Sequence, residues 1–147
     1  MNKFSINIYY LWDGKEELKD TFCTVKMRFI GPDFYSSLTD DFKRDLSKTL
    51  HPTLQESADL EFGAEMVKVK NISIREGSID VFFSLAAIGG GMYAFFKDYE
   101  SLRKGVKLFV SDLQSKGPML LRLVTDIFNK HKRSNFNRGS NRNTISN

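Results

Sequence analysis

Cysteine is nearly absent from this chain. Cys23 stands alone, so no internal disulfide can form and a reducing compartment is expected. Histidine is almost as scarce: His51 and His131 have no second His or Cys at ligand spacing, which excludes the common zinc motifs. Asp59, Glu61 and Glu65 lack the glycine and spacing of a calcium loop and read as a solvated acidic surface. No serine sits in a nucleophile elbow. Long hydrophobic runs are missing too. The uncharged stretch 81–96 has 16 residues, which as a helix would cover about 24 Å of a hydrocarbon core roughly 30 Å thick.

What the chain does have is phenylalanine, 13 of 147 residues, and these rings must fill a core, a lipid interface or a partner groove. Hydrophobic residues make up 41% and charged residues 27%, the composition of one globular domain. Charge is unevenly spread. Residues 1–65 carry a net −4 and residues 66–147 a net +8, so the second half is the one suited to an acidic partner. The start of the chain, "MNKFSINIYYLWDGK", is interrupted by Ser5 and Asn7 and lacks a small-residue cleavage site, so no secretory signal is expected.

Periodicity gives the element order. Phe4, Ile6, Ile8, Tyr10 and Trp12 alternate, Asp13-Gly14 marks a turn, and Cys23, Val25, Met27 and Phe29 alternate again, which predicts a hairpin. Phe34, Leu38, Phe42, Leu46 and Leu50 recur at helical spacing, with Asp33 placed to cap and His51-Pro52 to stop that helix. On its solvated face, Asp40 with Arg44 and Asp45 with Lys48 are spaced for ion pairs. Val67 and Val69 alternate but Ile72 and Ile74 fall out of phase, which predicts a bulge near Lys70-Asn71. After a turn at 75–78, Ile79, Val81, Phe83 and Leu85 complete a second hairpin. A helix follows from Asp98, stopped by Gly117-Pro118, and a last amphipathic helix carries Met119, Leu120, Leu123, Val124, Ile127 and Phe128. The expected fold is therefore a single α+β domain over residues 1–132, β-β-α-β-β-α-α, an antiparallel sheet of two hairpins packed with amphipathic helices. Residues 133–147 read as a disordered basic tail.

The stretch "SLAAIGGGMYAFFKDY" (84–99) holds the main functional ambiguity. Its three glycines are followed by Met92, Tyr93 and Ala94 and not by the lysine and hydroxyl of a phosphate loop. Two readings fit: the end of a buried strand followed by a close turn, or an apolar surface that meets lipid or another copy. The second predicts a non-enzymatic interaction protein, cytoplasmic and peripheral at the inner face of a membrane or self-associating. Its contacts would be the apolar segment 79–96 and the basic helix 98–115, through Tyr93, Phe95, Phe96, Lys97, Arg103, Lys104 and Lys107. The alternative is a nucleic-acid accessory protein whose C-terminal tail binds through Lys130, Lys132, Arg133, Arg138 and Arg142, with Phe136 to stack a base. No cofactor, metal or catalytic residue is predicted.

Overall fold

In the computed structural model the backbone is described for residues 5–12, 21–31, 34, 38–75, 79–88 and 99–145, and for Ser5, Trp12, Tyr99 and 133–145 the backbone alone. Four strands form one antiparallel sheet: β1 (Ser5–Trp12), β2 (Thr21–Ile30), β3 (Val67–Arg75) and β4 (Ile79–Ala87), in spatial order β1-β2-β4-β3. Helix α1 (Asp40–Phe62) separates the hairpins, and α2 (Tyr99–Ser115) and α3 (Gly117–Ile145) close the chain. The α+β class and the order β-β-α-β-β-α-α are those read from the periodicity.

One phase of each strand faces the helices. Cys23, Val25, Met27 and Phe29 of β2 and Val81, Phe83 and Leu85 of β4 are buried, as are Val67 and Val69 of β3. The bulges also fall where local sequence demands them. In β2 the register shifts between Thr21 and Cys23, and both Phe22 and Cys23 are buried. In β3 it shifts between Lys70 and Ser73, with Asn71 in the left-handed region at φ 59°.

Aromatic rings, together with many buried aliphatic side chains, join the helical layer to the sheet and its helices to one another. Phe109 of α2 lies 6.1 Å from Phe83 and 6.2 Å from Phe62, whose ring also meets Phe22 edge-on. Gly105 makes room for that cluster, because a Cβ there would stand 2.7 Å from the Phe62 ring. At the other end Phe128 of α3 packs edge-on against Phe34 and Phe42. These contacts answer where most of the phenylalanines go.

Helix α1 differs from the expectation at both ends. Asp33 lies outside the described residues, and the cap is Thr39, whose hydroxyl accepts from Phe42 N at 3.1 Å, with Asp40 and Asp41 in the first turn. The helix then runs past His51 and through Pro52, to end at Gly63 with φ 97°. An interior proline costs about 3 kcal/mol, but stopping there would expose Leu54 and Ala58, both fully buried. Pro52 itself faces solvent. The expected Asp45–Lys48 pair is replaced by Asp45 with His131 at 3.0 Å and Lys130 at 3.9 Å, which ties α1 to α3, and Arg44 pairs with Asp41 in place of Asp40.

Continuation of α1 places two side chains along the outer edge of β3. Gln55 Nε2 donates to Val67 O at 2.8 Å while its Oε1 accepts from Val69 N at 2.9 Å, and His51 Nε2 lies 3.0 Å from Val69 O. His51 is thus a mid-helix residue that binds a strand and not a helix terminator. Gln55→Ala is expected to lower the unfolding free energy by about 1–3 kcal/mol, since it strands one N–H and one C=O in a part-buried place. Denaturant titration would measure the loss, and faster exchange of the Val69 amide would locate it.

Candidate functional site: the helix-free face of the sheet

Residues of the opposite strand phase stand on the face away from the described helices, the helix-free face as far as the described residues go, and the register sets them in rows. Asn7, Arg28, Asp80 and Arg75 form one row across the four strands; Tyr9, Lys26, Phe82 and Ser73 form the next; Leu11, Thr24, Ser84 and Lys70 form a third. Lys68, aligned with Ala86, extends the cationic side beyond them. Five cations thus share a face with a single carboxylate among its described residues, an excess of +4 that equals the net charge of the whole chain.

Asp80 organises the centre. Arg28 Nε donates to its Oδ1 at 3.0 Å and Nη2 to its Oδ2 at 3.3 Å, while Lys26 Nζ lies 4.0 Å away. The hydrogen bond to Asp80 and then its charge raise the Arg28 guanidinium above its ordinary value. Phe82 stands beside them, partly buried, with the Arg75 guanidinium 4.5 Å and the Lys26 ammonium 5.5 Å from its ring centroid. Tyr9, 54% exposed, lies two strands away in the same row, about 10 Å at the usual strand spacing. Lys68 and Arg75 are exposed. The chemistry on offer is flat π surface set among cations.

The residues singled out from the sequence are distributed differently. Tyr93, Phe95, Phe96 and Lys97 lie outside the described residues, as do the three glycines. Of the apolar segment 79–96, the part from Ile79 to Ala87 is a central strand whose Ile79, Val81, Phe83, Leu85, Ala86 and Ala87 are buried, so that part offers no apolar contact surface toward the helices. Arg103, Lys104 and Lys107 are exposed on α2 and line a shallow concavity with Glu100. Among the described residues, no helix is long and apolar enough to cross a membrane.

The basic C-terminal set is carried on α3. Lys130 and Lys132 are exposed, with Lys130 paired to Asp45. The backbone at Arg133, Arg138 and Arg142 is helical, as α3 runs on to Ile145 through the stretch that lacks periodicity in sequence. Their side chains lie outside the described residues.

One further grouping has a shape known from catalysis. Lys116 Nζ donates to Ser57 Oγ at 2.8 Å and pairs with Asp112 at 3.2 Å. Ser57 is fully buried, so its hydroxyl serves to anchor the α2–α3 junction on α1 and presents no surface to a substrate. No group of three or more His, Cys, Asp or Glu that could hold a metal occurs among the described residues.

Sequence reading alone misses the sheet-face site, although its signal is present. "TVKMRF" and "VKVK" each interleave buried apolar residues with cations. What local periodicity lacks is the register that puts the polar phases of β2, β3 and β4 side by side. Compared with models of known protein families, with curated proteins and with solved structures, the chain matches none of them.

Proposed function

We propose that this protein binds single-stranded nucleic acid, without catalysis, on the helix-free face of its sheet. The observation that carries this reading is the setting of Phe82 and Tyr9 among Lys26, Arg28, Lys68, Lys70 and Arg75. Unpaired bases expose π faces that stack on aromatic rings and on guanidinium planes, while lysines beside them neutralise phosphates. Arg75, whose guanidinium carbon lies 4.5 Å from the Phe82 centroid, offers a second planar cation beside the ring for this purpose. Asp80 holds Arg28 in the middle of the sheet, which leaves Lys68, Lys70 and Arg75 along one side to follow a phosphate backbone. The reading moves the nucleic-acid contact from the C-terminal residues to the sheet.

Fluorescence anisotropy with a labelled, structureless oligonucleotide provides the test. With about four phosphates neutralised, log K should fall against log salt with a slope near −3, or roughly fifty-fold weaker binding at 200 mM than at 50 mM. Duplex of the same sequence should bind more weakly, because its bases are not free to stack. Absence of binding at 50 mM salt would reject the reading. Binding to anionic vesicles in its place would favour the lipid contact expected for Arg103, Lys104 and Lys107.

A further inference from the structure

The two edges of the sheet are treated unequally. The β3 edge is occupied by Gln55 and His51 and broken by a bulge. The β1 edge has no strand neighbour beyond it among the described residues. Its sequence, SINIYYLW, contains no charge, no proline and no bulge, the devices by which exposed edges are kept from pairing. Three consecutive large residues are left in solvent there: Tyr9 at 54%, Tyr10 at 40% and Leu11 at 67%. Tyr9 and Leu11 share the helix-free face while Tyr10, aligned with Val25, belongs to the other phase. An occupant that covers all three must therefore straddle both faces of the sheet, and a further strand does that.

We infer that β1 pairs antiparallel with β1 of a second copy, so that two sheets join into one of eight strands. A two-fold axis makes an antiparallel strand its own complement, so the same eight residues supply both sides. Charge permits this approach. The nearest face cations, Lys26 and Arg28, lie on β2, so across the joint they are separated from their counterparts by three strand spacings, about 14 Å. That exceeds the screening length of about 8 Å at physiological salt. Since the axis stands perpendicular to the sheet, both cationic faces look the same way. On the nucleic-acid reading, and only on it, the pair would present one continuous platform.

Sedimentation velocity from about 1 to 100 µM should show a monomer giving way to a dimer, as suits a contact at the small end of stable interfaces. Over the same range, hydrogen exchange of β1 amides in the unaltered protein should slow with rising dimer fraction. A Tyr10→Lys, Leu11→Lys double variant should weaken association tenfold or more, because lysines on an edge strand oppose its pairing with another chain. A monomer throughout would overturn the inference. So would a dimer whose β1 amides exchange at the same rate at every concentration, or one that persists unweakened in a folded double variant. Should that variant not fold, the exchange measurement on the unaltered protein decides. Oligonucleotide binding by a strictly monomeric protein would remove the dimer and leave the proposed function standing.

Discussion

Phe82→Ala is expected to weaken oligonucleotide binding roughly 5- to 150-fold at fixed salt while leaving the salt slope unchanged. The range corresponds to about 1–3 kcal/mol for one base stacked on one ring. Phe82 is partly buried on the face opposite the described helices and is not a member of the hydrophobic core, so its loss opens no hole there. A paired variant, Lys68→Gln with Lys70→Gln, should do something different in kind. Removal of two phosphate contacts should make the slope shallower by about 1.4, because fewer counterions are released. Anisotropy titrations at four or five salt concentrations separate the two effects. If both variants changed only the slope, the ring would have no part in recognition and the face would be a general polyanion surface. If neither changed anything, binding would lie elsewhere, with Arg103, Lys104 and Lys107 or with Lys130 and Lys132 as the next positions to neutralise.

Phe109→Ala should cost about 3–5 kcal/mol of stability, the range for emptying a buried aromatic site. Phe109 is fully buried and bridges Phe83 of the central strand to Phe62 at the end of α1. The gap would thus open where α1, α2 and the sheet converge, and the rigid sheet cannot collapse into it. Against a typical total of about 5–15 kcal/mol, this is a large share. The neighbouring Leu108→Ala removes a side chain that is 51% exposed and should stay within about 0.5 kcal/mol of the parent. Urea denaturation of the two variants in parallel gives the comparison, and equal midpoints would contradict the packing described here.

The strands were legible because each has one buried phase, and an alternation such as Cys23, Val25, Met27, Phe29 survives in the sequence unaided. Even the bulge at Asn71 shows as a phase slip between Val69 and Ile72. Helix α1 was less legible at its end. The helix-breaking character of Pro52 is a local property, whereas the gain from burying Leu54 and Ala58 and from joining Gln55 to β3 comes from the tertiary structure. Ion pairing failed for the same reason: Asp45 has a sequence neighbour in Lys48, yet its partners are 85 and 86 residues away. The candidate site was the least legible part. Lys26, Lys70 and Phe82 stand on three strands, and Lys26 and Phe82 become neighbours only through the pairing of β2 with β4.

The side-chain amide of Gln55 has the same donor and acceptor as a peptide group, and at Val67 and Val69 it takes the place of a fifth strand. A sheet with two open edges can add copies at both ends and grow into a filament. Val67 O, Val69 N and Val69 O are already bonded from within the chain, so if two copies join through β1 as inferred above, that stretch of β3 is closed to a further copy. On that inference Gln55 would act as a terminator of assembly, and Gln55→Ala should then give particles larger than a dimer at high concentration.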